Sequence, residues 1–136
     1  MQEVSLRITV VHPPPGVAFG IQKGKSEVVP PDQVSSDSIS FNFTVRVGAR
    51  AKNEAPNFLG PFTQGPRSDR FVYVNSGKRA GQSKTPWDRR AKVPLTSITW
   101  AMIKNGGVLE TRIEGIGSDG GPACGTVPLI GGWRVR

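Results

Sequence analysis

The residues best equipped for chemistry gather between Phe58 and Trp100. In Thr85-Pro86-Trp87-Asp88-Arg89-Arg90 an indole lies beside two guanidinium groups. A guanidinium presents a planar fork of donors that matches a carboxylate or phosphate. An indole face stacks on a ring or a base. Asp88 is placed to orient one arginine, and Gln64, Arg67 and Tyr73 can add hydrogen bonds or charge. From Arg67 to Lys92 eight basic residues stand against two acidic ones, a net +6 out of +8 for the 136-residue chain. The expected ligand-binding set is Gln64, Arg67, Tyr73, Trp87, Arg89 and Arg90, and the expected ligand is small and anionic or aromatic. The opposing reading is equally concrete: Trp87 fills the core and the charges are solvated around it.

Other chemistry has thinner support. His12 is the only histidine, the side-chain type best suited to proton transfer near neutral pH. It precedes Pro13-Pro14-Pro15 and is expected at an exposed strand end. A multi-histidine metal site is excluded, and neither a metal nor a cofactor is expected. Cys124, the only cysteine, sits among small residues and reads as a small buried thiol at a strand start. Gly115-Ile116-Gly117-Ser118-Asp119-Gly120 fits the glycine spacing of a dinucleotide loop. Gly121-Pro122 follows, however, and too little chain remains for a crossover helix and a second parallel strand. A turn before a C-terminal strand is the better account. The ten acidic residues form no close pair in sequence beyond Glu110 and Glu114.

These groups must be positioned by a single domain spanning residues 1–136, the expectation for a chain of this length. The 17 Gly and 12 Pro spread along it point to short strands joined by tight turns. One cysteine excludes an internal disulfide and favours a reducing compartment. No run of apolar residues reaches membrane-spanning length, and the N-terminus lacks the pattern of a signal peptide. The positive charge favours acidic partners.

Alternation of apolar and polar residues predicts strands at 4–10, 17–21 and, most clearly, 38–47, where Ile39, Phe41, Phe43, Val45 and Val47 share one face. Residues 24–37 read as a surface loop. Residues 48–65 read as a long connection, which Phe58, Leu59 and Phe62 either pin to the core or open into a lid. Residues 70–75 are apolar on both faces, as in a central strand. Further strands are expected at 89–95, 108–113, around Thr126 and at 133–135. Near 97–104 the period changes. Thr96 or Ser97 can cap a short helix with Ile98, Ala101 and Met102 on one stripe, widened by Trp100 and Ile103 and closed by Asn105-Gly106-Gly107. The result is an all-β, mainly antiparallel domain: a β-sandwich or small β-barrel of seven to eight strands with one short helix.

The phrases FLGPFTQGP, RFVYVNSG, AGQ, WDRRAKVPLTSITW and GSDGGPACGTV, with the opening VSLRITVVHPPPGVAFGIQKG, resemble a small bacterial family with no assigned activity. The resemblance covers nearly the whole chain and transfers no functional residue. It implies a stand-alone, one-domain cytoplasmic protein.

Four functions compete. The first is a binding module for a small anionic ligand. The second is a single-stranded nucleic-acid-binding domain, less favoured because strand 38–47 carries no aromatic on its polar face. The third is an enzyme working through His12, Tyr73, Cys124 or a carboxylate. The fourth is a homodimeric interaction protein, and no membrane partner is expected.

Overall fold

The computed structural model describes residues 2–48, 54–78, 87, 89–114 and 124–136, with only the backbone of Lys78 and Cys124. The strands are β1 Gln2–Val11, β2 Val17–Lys23, β3 Glu27–Val29, β4 Gln33–Val34, β5 Ser38–Gly48, β6 Asn57–Leu59, β7 Phe71–Lys78, β8 Arg89–Pro94, β9 Val108–Glu114, β10 Cys124–Thr126 and β11 Ile130–Val135. A 3-10 turn, Arg67–Asp69, precedes β7, and one helix, α1 Trp100–Lys104, precedes β9.

They form two sheets. The first runs β11-β9-β1-β5-β4, with β6 also paired to β5; the second runs β10-β8-β7-β2-β3. The chain steps from one sheet to the other between β1 and β2, β3 and β4, β6 and β7, β8 and β9, β9 and β10, and β10 and β11. The described strands make an all-β sandwich and no closed barrel. Each sheet is mixed: β1 lies parallel to β9, and β10 parallel to β8. The remaining pairs are antiparallel.

Alternation sets which face is buried. From the first sheet, Leu6, Ile8 and Val10 of β1, Phe41, Phe43 and Val45 of β5, and Leu109 and Ile113 of β9 point inward. They meet Phe19 and Ile21 of β2, Val72 and Val74 of β7, and Ala91 and Val93 of β8. Phe58 of β6 is buried, and the Phe62 ring packs on Phe43 at 5.0 Å. The 48–65 connection is therefore pinned to the core where it is described. Trp133 closes one end of the core, its indole N–H donating to the Pro94 carbonyl at 2.9 Å.

Three expectations need correction. Among the described residues eleven strands stand where seven to eight were expected, because β3, β4 and β6 are two or three residues long and lie in stretches that read as loop. Each is defined by its ladder with a long neighbour, not by a pattern of its own. The helix cap is Thr99, which accepts from the Met102 N–H; Thr96 and Ser97 lie in the preceding turn, where the Ile98 N–H donates to the Leu95 carbonyl at 3.1 Å. Of the expected helical stripe, Ala101 is exposed, and Ile98 and Ile103 are the buried residues. The helix does end in a left-handed glycine, Gly106 at φ 70°, a conformation costly for residues with a Cβ. Residues 115–120, with the glycine-rich sequence, lie outside the described residues, as does the Cys124 side chain.

Phe41→Ala is expected to lower the unfolding free energy by about 3–5 kcal/mol and Ile8→Ala by about 2–5 kcal/mol, transfer and cavity costs together. Val34→Ala, at a side chain 69% exposed, is expected to change it by less than about 0.5 kcal/mol. Urea denaturation of the three variants checks this.

Candidate functional site

The polar faces of β1, β5 and β9 turn away from the core. Because β1 pairs with β9 in parallel, Arg7 lies beside Glu110, Thr9 beside Arg112 and Val11 beside Glu114. On the other side, antiparallel β5 sets Ser40 beside Thr9 and Ser38 beside Val11. With Ile130 and Arg136 from the C-terminal strand and its end, and with His12 and Asp37 at the far rim, this surface forms an open concavity of about 630 Å³.

At one end of it, Glu110 is the shared counter-ion of three guanidinium groups. Arg136 Nη1 donates to its Oε2 at 3.3 Å. Arg7 Nε lies 3.5 Å from the same oxygen, and Arg112 Nη2 lies 4.0 Å from Oε1. Arg7 and Glu110 are only 20% and 19% exposed, and Arg112 and Arg136 stand further out in solvent. Arg7 is held in the floor: its Nη2 donates to Gln33 Oε1 at 2.9 Å and to Ser40 Oγ at 3.2 Å. Ser40 Oγ is also 3.2 Å from Thr9 Oγ1. The buried Arg7 Nε makes no hydrogen bond within the geometry of one, despite its ion pair.

The other end is acidic. His12 Nδ1 lies 3.2 Å from Glu114 Oε2, and both side chains are well exposed. His12 is the only described residue other than glycine with a positive φ, at 52°. Its backbone N–H donates to the Asp37 carbonyl at 3.0 Å, which ties the end of β1 to the start of β5. The left-handed turn at His12 thus aims the imidazole along the sheet toward Glu114.

The residues expected from sequence sit elsewhere. Tyr73 and Arg90 lie on the outer face of the second sheet, with the Arg90 guanidinium 5.2 Å from the Tyr73 ring centroid. Lys92 stands 4.9 Å over Phe71 in the same way, and Phe71 meets Tyr73 edge to face at 4.9 Å. Trp87 is 36% exposed and lies over that face. Its indole approaches Gly20 so closely that a Cβ there would be 3.2 Å from Trp87 Cη2. Gln64 spends its amide on the Gly24 carbonyl at 3.0 Å, an acceptor shared with Gln22, whose Oε1 in turn takes Asn75 Nδ2 at 3.4 Å. Arg67 pairs with Glu54 at 2.6 Å on the 3-10 turn. Arg89 falls in register with Ser76, on the inward-facing side of β8 with Ala91 and Val93. Successive residues of a strand point to opposite faces, so Arg89 and Arg90 cannot share one hollow while both remain in β8.

Sequence reasoning missed Arg7, Glu110, Arg112 and Arg136. For Arg7, Glu110 and Arg112 the signal was present as charges at the polar positions of strong strands; Arg136 lies just beyond β11 and had none. What was missing was the pairing that brings them together.

The model of the Family of unknown function (DUF5990) matches residues 4–136. The chain belongs to this family. No curated protein and no solved structure matches it. The family match carries no activity. Among the described residues no group of three or more His, Cys, Asp or Glu could hold a metal ion, and no helix is long and apolar enough to cross a membrane.

The arrangement of the Glu110 cluster predicts its energetics. Glu110→Ala leaves three guanidinium groups without their shared counter-ion and is expected to lower stability by about 1–3 kcal/mol. Glu114→Ala breaks an ion pair whose members are 79% and 64% exposed and is expected to cost less than about 1 kcal/mol. Equilibrium unfolding in urea at fixed salt measures both.

Proposed function

We propose that the protein is a binding module for a small anionic ligand, held in the concavity on the outer face of the first sheet. The observation that carries this reading is the convergence of Arg7, Arg112 and Arg136 on a single carboxylate at the wall of an open concavity of about 630 Å³. Three positive groups against one negative leave local charge for a ligand carboxylate or phosphate. The Arg112 guanidinium makes no hydrogen bond among the described residues; its one contact there is the 4.0 Å ion pair with Glu110, which leaves most of its fork of donors open to a ligand. The volume lies within the range of small-molecule sites, roughly 300–1,000 Å³. The hydroxyls of Thr9, Ser38 and Ser40 favour a polar ligand over an apolar one. The lone cysteine fits a reducing compartment, and we place the protein in the cytoplasm.

A second reading rests on the other sheet. Tyr73, Phe71 and Trp87 on its outer face, flanked by Arg90 and Lys92, put aromatic rings beside cations as a single-stranded nucleic-acid platform does. It ranks lower because Phe71 is buried and Trp87 is only partly open.

One experiment separates the two. Titration with inorganic phosphate and with citrate, followed by backbone amide NMR, is expected to shift resonances of β1, β9 and the C-terminal residues. Arg112→Ala is expected to weaken binding about tenfold, a loss near 1.4 kcal/mol, and Arg90→Ala to leave it unchanged. The reverse pattern moves the anion site to the second sheet. Binding of a labelled oligonucleotide that weakens steeply with salt and is lost in Arg90→Ala supports the nucleic-acid reading instead.

A further inference from the structure

The charges along the concavity are sorted by sign. Near Arg7 and Glu110, three guanidinium groups face one carboxylate. Near Val11, the lining contains the carboxylates of Glu114 and Asp37, and its one basic group is the His12 imidazole. The Asp37 carboxylate makes no hydrogen bond or ion pair among the described residues. Counting guanidinium groups and side-chain carboxylates alone, the two ends carry +2 and −2, and the middle is floored by the Thr9 and Ser40 hydroxyls. The Arg7–Glu110 row and the Val11–Glu114 row are four positions apart along both β1 and β9, about 13 Å at the strand rise, and Arg112, rooted beside Thr9 between them, reaches back to within 4.0 Å of Glu110.

From this we infer that the ligand of the groove is an elongated zwitterion, and specifically a short extended peptide with both termini free. This deepens the anion-binding reading and rests on it. The C-terminal carboxylate meets the Arg112 and Arg136 forks, and the N-terminal ammonium meets Asp37 and Glu114. A single amino acid cannot span both ends, because its charges lie only about one residue length apart, roughly 3.3–3.6 Å. Three to four extended residues cover the distance. Their backbone amides lie over a floor whose most open hydroxyl is that of Ser38, since Thr9 and Ser40 already bond each other and Ser40 also takes Arg7. Ile130, 46% exposed at the wall, offers a contact for one apolar side chain.

Isothermal titration with tetraglycine, N-acetyl-tetraglycine, tetraglycinamide and diglycine tests the inference, with phosphate and citrate as reference anions. Tetraglycine is expected to bind, and either terminal cap to weaken binding at least tenfold. Asp37→Asn, an exposed change that breaks no ion pair, is expected to weaken tetraglycine and leave N-acetyl-tetraglycine unaltered. If the acetylated peptide binds the wild-type protein as tightly as the free one, the zwitterion inference falls and anion binding stands. If diglycine binds as tightly as tetraglycine, the span argument falls. If phosphate and citrate bind and no peptide does, the peptide assignment is overturned alone. If neither anions nor peptides bind, both readings fall together.

Discussion

Leu6, Ile8 and Val10 are sealed in the core, and the residues between them have no choice of side. That constraint holds the polar face in place. β1 is the middle of the first sheet, laddered to β5 along its whole length and to β9 along most of it. A slip of one residue would drive Arg7 and Thr9 inward and expose three large aliphatic side chains. Each of those side chains is worth about 1.5–3 kcal/mol in burial, so the core fixes the register of the charges above it. The outer-face chemistry is thus held by apolar packing a strand's thickness away.

On that scaffold, Glu110 is an internal counter-ion. It draws together guanidinium groups from β1, from its own strand and from the C-terminus. Packing one carboxylate among three such groups reduces their repulsion, and partial burial keeps the interaction from being fully screened by solvent. Arg7 also binds Gln33, so the short β4 is tied to the same cluster. The second sheet manages its positive charge differently. There Arg90 and Lys92 lie over the rings of Tyr73 and Phe71, where the electron-rich faces offset charge without a carboxylate. One sheet therefore leaves a charged hollow, and the other covers its cations with aromatic carbon.

The long strands were legible because alternation is a local property. Residues 4–10 and 38–47 each carry enough apolar positions at period two to announce a buried face, and the structure extends the first to Gln2–Val11 and the second by one residue, to Gly48. The short ones were not. Gln33 and Val34 are both exposed and have no internal pattern; they are a strand only because β5 offers them hydrogen-bonding partners. The helix cap was misplaced for a related reason. Thr96, Ser97 and Thr99 are all acceptable caps by residue type, and the turn that Ile98 makes with Leu95 selects the last.

The sequence determined by itself the all-strand class, the inward set of the long strands and the outward direction of Arg7, Glu110 and Arg112, since all of these follow from neighbours along the chain. Only the tertiary structure decided that β1 and β9 lie side by side in parallel, so that His12 meets Glu114 from 102 positions away. It also decided that β7 and β8 lie side by side, so that Arg90 meets the Tyr73 ring. The physical reason is the same in both cases. A pleated strand separates residues that are adjacent in sequence, and the ladder between strands joins residues that are not, so charge clustered along the chain is no guide to charge clustered in space.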